Sequence, residues 1–175
     1  VLVVALLCAG VTAGVHHGLA GAFEQSDLAL DEAKGGAQRK LLFPDATSFE
    51  PQSAPAVEGL NSVYKADTGA WVFDVTSAQG YHGDVELMVG INADGTVAGI
   101  QVVAEDETDG IGTNALTEEY FGGFAGSPAA GELTVDEAGA GQTHVDAVSG
   151  ATFTSRAVVD CLNIAFAAYA QMGGN

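Results

Sequence analysis

The sequence predicts an α+β fold: a twisted antiparallel sheet packed with helices, preceded by an N-terminal transmembrane helix. Three observations carry this. Val85, Leu87, Val89 and Ile91 share one strand face opposite Glu86 and Met88; Asn92-Ala93-Asp94-Gly95 then leads into a second run, Thr96 to Ala104. That is the pattern of two antiparallel strands closed by a tight hairpin, with Gly95 in the left-handed position. Val158, Leu162, Ala165, Tyr169 and Met172 recur at helical spacing near the C-terminus, one apolar stripe of a long helix, with Asp160 and Asn163 facing away. Val1 to Val15 contains no charged residue, and the uncharged stretch runs on to Phe23.

In chain order, residues 1–23 are expected to be a membrane anchor. A bilayer takes about 20 apolar residues, and the chain begins without methionine, so a spanning helix cut short at its start fits this run. A signal-peptide remnant and a buried core helix are the other readings. Residues 24–61 connect. Acidic residues precede Lys34, Arg39 and Lys40, the charge order of a helix, broken at Gly35-Gly36. The three basic residues read as an ordinary helix end, with juxtamembrane contact the other reading. Pro44, Pro51 and Pro55 then mark a loop with room for one short strand. Residues 62–175 form the main domain. Ser62 to Lys65 opens a strand. Trp71, Phe73 and Val75 face one side of a half-buried strand, Asp74 and Thr76 the other. Gly80-Tyr81-His82-Gly83 is a turn. Leu116 to Phe124 reads as a short helix ending at Gly122-Gly123, whose Tyr120, Phe121 and Phe124 fill core or pack over a ligand edge. Ser127 to Gln142 is a glycine-rich excursion with a short strand at Leu133 to Val135.

Charge excludes several functions. The chain has 23 acidic and 5 basic residues, a formal −18. From Ala66 onward, 16 acidic residues face Arg156 alone. Such a surface repels nucleic acid and anionic head groups, and it suits a saline environment, where salt screens self-repulsion. An apolar fraction of 47% argues against disorder. Cys8 and Cys161 give no disulfide framework, and His16, His17, His82 and His144 make no metal-ligand spacing. No residue reads as a catalytic base or nucleophile for a small substrate.

The chemistry concentrates at Asp146-Ala147-Val148-Ser149-Gly150-Ala151-Thr152-Phe153-Thr154-Ser155. Ser155 reads as the N-cap of the last helix, which runs to Met172. Gly150 admits close approach, and Ser149, Thr152, Thr154 and Ser155 surround it with hydroxyls. A helix N-terminus carries unpaired N–H groups and partial positive charge, which suits a phosphate. An ordinary hydroxyl-rich cap is the competing reading.

Asp-x-x-Ser-Gly-Ala-Thr-x-Thr-Ser before a helix resembles the flavinylation motif of the FMN-binding domain family, found in the G subunit of the Rnf complex and the C subunit of the sodium-pumping NADH:quinone reductase. The Gly-Tyr-x-Gly turn, the Val-Gly-Ile strand and the Asp-Gly hairpin follow the family's order, so the resemblance covers about Tyr64 to Tyr169. It implies FMN held covalently through a threonine phosphoester, with Thr152 the acceptor and Thr154 the fallback. Asp146 opens the motif, and Ser149, Gly150, Ala151 and Ser155 complete it. Glu107-Thr108-Asp109-Gly110-Ile111-Gly112 is similar to the family's Glu-Thr-Pro-Gly-Leu-Gly segment beside the flavin. Asp109 replaces proline, leaving the turn less preset, and Ile111 replaces leucine. Glu107, Thr108, Gly110 and Gly112 remain, with Thr108 a donor to the flavin and both glycines allowing approach to its ring. A solvated acidic turn is the other reading, and the spacing does not fit an EF-hand. Arg156 has two readings, a pair with Asp160 at i+4 or with the flavin phosphate. Trp71 is read as core rather than as a flavin stack.

The resemblance further implies an electron-transfer subunit of an ion-translocating membrane complex, anchored by one helix in the cell's inner or cytoplasmic membrane, with the FMN domain on the outer face. Its partners would be the neighbouring redox subunits, membrane lipid and, for maturation, a flavin transferase; nucleic acid is not among them. Two alternatives stand beside it: an extracytoplasmic binding or assembly module of this fold without flavin, and a stand-alone flavinylated reductase domain.

Overall fold

The computed structural model describes residues 35–174. The expected anchor at 1–23, most of the connecting helix and Cys8 lie outside the described residues. Among those described, no helix is long and apolar enough to cross a membrane. The chain divides into two units, Val1–Ala37 and Gln38–Asn175; the sheet and the long helix belong to the second.

Five strands form a meander: β1 (Phe49–Gln52), β2 (Leu60–Ala66), β3 (Trp71–Ser77), β4 (Val85–Ile91) and β5 (Val97–Ala104), each antiparallel to the next. The hairpin between β4 and β5 closes as the Asp-Gly pair requires, with Gly95 at φ 82° and its N–H donating to the Asn92 carbonyl at 3.0 Å. β1 contains Pro51 and pairs only with β2, the edge position at which a proline costs no ladder bond.

One face of the sheet carries Val63, Phe73, Val75, Leu87, Val89 and Ile100. Against it lies the C-terminal helix Thr152–Gln171, which buries Val158, Leu162, Ala165, Phe166 and Tyr169. Burial of Val158, Leu162 or Phe166 contributes roughly 1.5–3 kcal/mol each relative to exposure. Cys161 belongs to the same core. Burial pushes its thiol up, so it stays a neutral packing group.

β3 is not half-buried as expected, because its other face is covered too. Tyr64, Val72 and Met88 are buried there beneath Leu42, Phe43 and Phe49. Gly90 and Gly99 are cross-strand partners that leave the room: a Cβ on Gly90 would stand 3.0 Å from the Phe43 ring. Helix α1 (Gly36–Leu42) begins at the predicted glycine break. Its Arg39 is fully buried with the guanidinium 3.9 Å over the Tyr64 ring, and Lys40 donates to the Ala46 carbonyl. Arg39 therefore serves the domain's own packing.

After β5 come a 3-10 turn (Gly112–Ala115) and α2 (Glu118–Gly122), where the capping Thr117 hydroxyl accepts the Tyr120 N–H. Phe121 and Phe124 fill core. The glycine-rich excursion holds β6 (Glu132–Thr134), placed one residue before the predicted strand, and β7 (Gln142–His144), paired in parallel. The long helix Thr152–Gln171 is α3. Asp160 and Asn163 do not face away from the fold as expected. Asp160 accepts from Ser77 Oγ at 2.6 Å. Asn163 grips Leu133, accepting its N–H at 2.8 Å and donating to its carbonyl at 2.9 Å.

Candidate functional site

α3 begins four residues earlier than the sequence suggested, its cap position at Ala151 rather than Ser155. Ala151 is the residue before it, with φ −122° and no side-chain capping bond. Ser155 is not the cap. It sits buried inside the first turn, where its hydroxyl donates to the Ala151 carbonyl at 2.9 Å and accepts the Val148 N–H at 3.0 Å. A serine can satisfy itself against the carbonyl four residues back, and this one also braces the incoming loop. The leading N–H groups of a helix lack intrahelical partners, and here no side chain caps them. Positive potential is thus left at Thr152 and Phe153.

Thr152 and Thr154, two residues apart, occupy opposite environments. Thr152 is exposed. Thr154 is 1% exposed, and its hydroxyl donates to Glu107 Oε2 in a short contact. Glu107 is itself buried. Its other oxygen accepts the His82 N–H at 3.2 Å, and its own N–H donates to Glu105 at 2.6 Å. One carboxylate thereby ties together the turn before β4, the loop after β5 and the start of α3. The glycines around it are close-packed. A Cβ on Gly112 would lie 2.5 Å from Glu107 Oε2, and one on Gly80 would lie 2.8 Å from Glu107 Oε1.

These three segments enclose a cleft of about 360 Å³ lined by Tyr81, Thr108, Ile111, Gly112, Gly150, Ala151, Thr152, Phe153 and Thr154. Its size falls in the range of small-molecule sites, roughly 300–1,000 Å³. Six of the residues singled out from the sequence therefore meet here. The Thr108 carbonyl accepts the N–H groups of Ile111 and Gly112 at 3.0 and 2.9 Å, which fixes the loop's turn without the family's proline. Gly150 has φ 82°, and a Cβ there would meet no atom within 4 Å, so glycine is required by the backbone while the space beside it stays open.

The remaining predicted residues do not line the cleft. Glu107 stands behind the cleft wall, where Gly112 of the lining makes room for its carboxylate. Gly110, at φ 71°, donates its N–H to Thr113 Oγ1 at 2.9 Å and serves the turn. Ser149 is exposed beside Gly150. Asp146 has a fully exposed side chain 3.5 Å from His144 Nε2, and its carbonyl accepts the Tyr120 hydroxyl at 3.2 Å. Tyr120 lines a second cleft, of about 700 Å³, which Thr152 does not reach; burial raises its phenol above the ordinary range. Arg156 does not pair with Asp160. It pairs with Asp136, Nη2 to Oδ1 at 2.5 Å and Nε to Oδ2 at 3.1 Å, because β6 carries that residue back over the helix start. The Arg156 hydrogen bond holds the Asp136 carboxyl below the usual range. Trp71 packs beside Phe73 at the core margin, away from the cleft. Tyr81 and Phe153 were missed. Tyr81 sits in a stretch read only as a turn, and Phe153 stands among hydroxyls that drew the reading to themselves.

The chain is similar to known proteins. A family model, the FMN-binding domain, matches residues 80–167. The G subunit of the Na(+)-translocating ferredoxin:NAD(+) oxidoreductase complex of Acetobacterium woodii is 30% identical over 77% of this chain and 73% of its own length. The G subunit of the ion-translocating oxidoreductase complex of Methanosarcina acetivorans is 35% identical over 72% of this chain and 70% of its own. The crystal structure of the C subunit of Na(+)-translocating NADH-quinone reductase from Parabacteroides distasonis matches at 22% identity and TM-score 0.49, over 65% of this chain and 61% of that one. On that match and these relatives the chain belongs to the FMN-binding domain family.

Proposed function

We propose that this chain is an electron-transfer subunit of an ion-translocating membrane oxidoreductase and carries FMN covalently through a phosphoester on Thr152. The observation that carries the assignment is the contrast between the two threonines: Thr152 opens onto the cleft, whereas Thr154 is buried with its hydroxyl committed to Glu107. A phosphoester on Thr152 would lie at the uncapped start of α3, where N–H donors and the helix dipole favour a phosphate. The open space at Gly150 suits such a group.

Bound FMN would supply the redox chemistry. The chain's part is to hold and shield it. Thr152 provides the tether, the first turn of α3 the phosphate donors, Thr108 a hydroxyl at the cleft wall, and Glu107 the order of the walls. Attachment by a flavin transferase keeps the cofactor in place on the outer face of the membrane. The relatives named above are subunits of multi-subunit translocating complexes, which supports neighbouring redox subunits as partners and lipid contact through residues 1–23.

The test is intact mass after production with a flavin transferase. Wild-type protein should gain one FMN group, mapped to the peptide bearing Thr152. Thr152→Ala should abolish the gain and Thr154→Ala should keep it. An unmodified wild-type chain beside a competent transferase would falsify the covalent reading, whereas modification at Thr154 would move the site and leave the function standing.

A further inference from the structure

The larger cleft, of about 700 Å³, lies outside the flavin reading. It is built by α2, by the β6–β7 pair and by the stretch from Val145 to Val148. Tyr120, Phe124, Leu133, Val145 and Val148 give it an apolar lining. These parts are held in place. The Tyr120 and Phe124 rings meet edge to face at 5.5 Å, and the Tyr120 hydroxyl donates to the Asp146 carbonyl at 3.2 Å. Asn163 pins the Leu133 backbone by two hydrogen bonds, and Ser155 Oγ accepts the Val148 N–H. A surface already ordered costs little to bind.

The carboxylates of this cleft face no lysine or arginine. Glu119 is exposed, as is its neighbour Glu118 on α2, and the Asp146 side chain is fully exposed. No basic residue lines the cleft except His144, whose Nε2 lies 3.5 Å from Asp146. An apolar lining edged by carboxylates is complementary to a segment that carries a large apolar side chain between lysines or arginines. We infer that the cleft beside Tyr120 is a docking site for such a basic segment of a neighbouring subunit. The inference rests on the reading of the chain as one subunit of a complex. It adds which face meets a neighbour and the chemistry of what that face meets. Anionic lipid is repelled by the same carboxylates. Val145 and Val148 stand on the stretch that leads into Thr152, so the docked segment packs against the chain just before the attachment site.

The experiment uses the full chain in its native membranes, with the photoreactive p-benzoylphenylalanine in place of Thr143, an exposed residue of the cleft lining. Irradiation should couple it to another polypeptide, and the coupled peptide should carry lysine or arginine on both sides of a large apolar residue. Glu119→Lys in the same chain should cut that yield several-fold. Glu50→Lys, the same charge change on β1 outside the cleft, should leave it unchanged. Should the group at Thr143 lower the amount of chain in the membrane, the same group in place of His144 carries the same readout. An adduct to lipid alone, to a small molecule alone or to this chain alone would overturn the docking site. So would a coupled peptide without basic residues, a yield that Glu119→Lys leaves unchanged, or one that both lysine variants reduce equally. The mass of FMN on the Thr152 peptide, read in the same samples, separates this inference from the flavin reading. Flavin without the adduct overturns the docking site alone. The adduct without flavin upholds the docking site and sinks the covalent reading.

Discussion

Glu107 accepts from Thr154 on the helix and from the His82 N–H in the turn, and Gly112 and Gly80 leave it just enough room. A buried acceptor with two donors is costly to remove, because each donor left unmatched forfeits about 1–3 kcal/mol. Glu107→Ala should therefore lower the unfolding free energy of the unflavinylated protein by about 2 kcal/mol, read by urea titration. Thr154→Val should cost about 1 kcal/mol, since only one partner is lost. Because both belong to one network, the double variant should lose less than the sum, by at least ~0.5 kcal/mol. Additive losses would mean that the short contact contributes no coupling, and the picture of one carboxylate joining three segments would fail. The sequence pointed to Glu107 and Thr154 by motif but assigned them a role at the flavin. What it hid was that they meet each other, 47 positions apart.

At the scale of elements, β4, β5 and the apolar stripe of α3 were legible because a period of two or of 3.6 residues repeats often enough to be read. β6 and β7 were harder: three residues each cannot display a period, and a parallel pair carries no hairpin signal. The start of α3 was misplaced for a different reason. Ser149, Thr152, Thr154 and Ser155 are all competent caps, and the Val148 N–H that occupies Ser155 is set by the path of the loop. Arg156 shows the same limit, for its partner Asp136 arrives with β6 from 20 positions upstream. The cleft was half legible: the α3 motif and the 107–112 loop stood out, but Tyr81, which lines the cleft with them, comes from the turn before β4. Asn163 is what holds β6 in place, by two hydrogen bonds to the backbone of Leu133. Asn163→Ala should cost about 1–2 kcal/mol and speed amide exchange selectively over residues 128–146, the slow-exchanging strands β3 and β4 staying protected. Uniform acceleration across the sheet would instead mean that β6 and the main sheet open as one unit.

The whole molecule is dominated by one sign of charge. The formal net charge is −18, and beyond Ala66 the one basic residue is Arg156, already paired with Asp136. Most carboxylates in the described loops and in α2 are exposed, at Asp84, Glu105, Asp106, Asp109, Glu118, Glu119 and Glu137 among others. Compact folding brings these charges closer than they are in the unfolded chain, so their repulsion opposes the native state. Screening acts over about 8–10 Å near physiological ionic strength and about 3 Å at 1 M. Repulsion between separate loops should therefore be relieved between those conditions. Raising KCl from about 0.1 to about 1 M should lift the thermal midpoint by about 4 °C, equivalent to ~1–2 kcal/mol for a chain of this size. The Arg156–Asp136 pair works in the opposite direction, but an exposed pair is worth only about 0–1 kcal/mol and cannot reverse the sign. NaCl at the same ionic strength should do the same, since screening does not distinguish the two cations, and an uncharged osmolyte matched for osmolarity should not reproduce the salt dependence. A midpoint that is flat or falls with salt would show that the carboxylates are already relieved in the folded state, and the charge balance would then bear on solubility and partner choice rather than on stability.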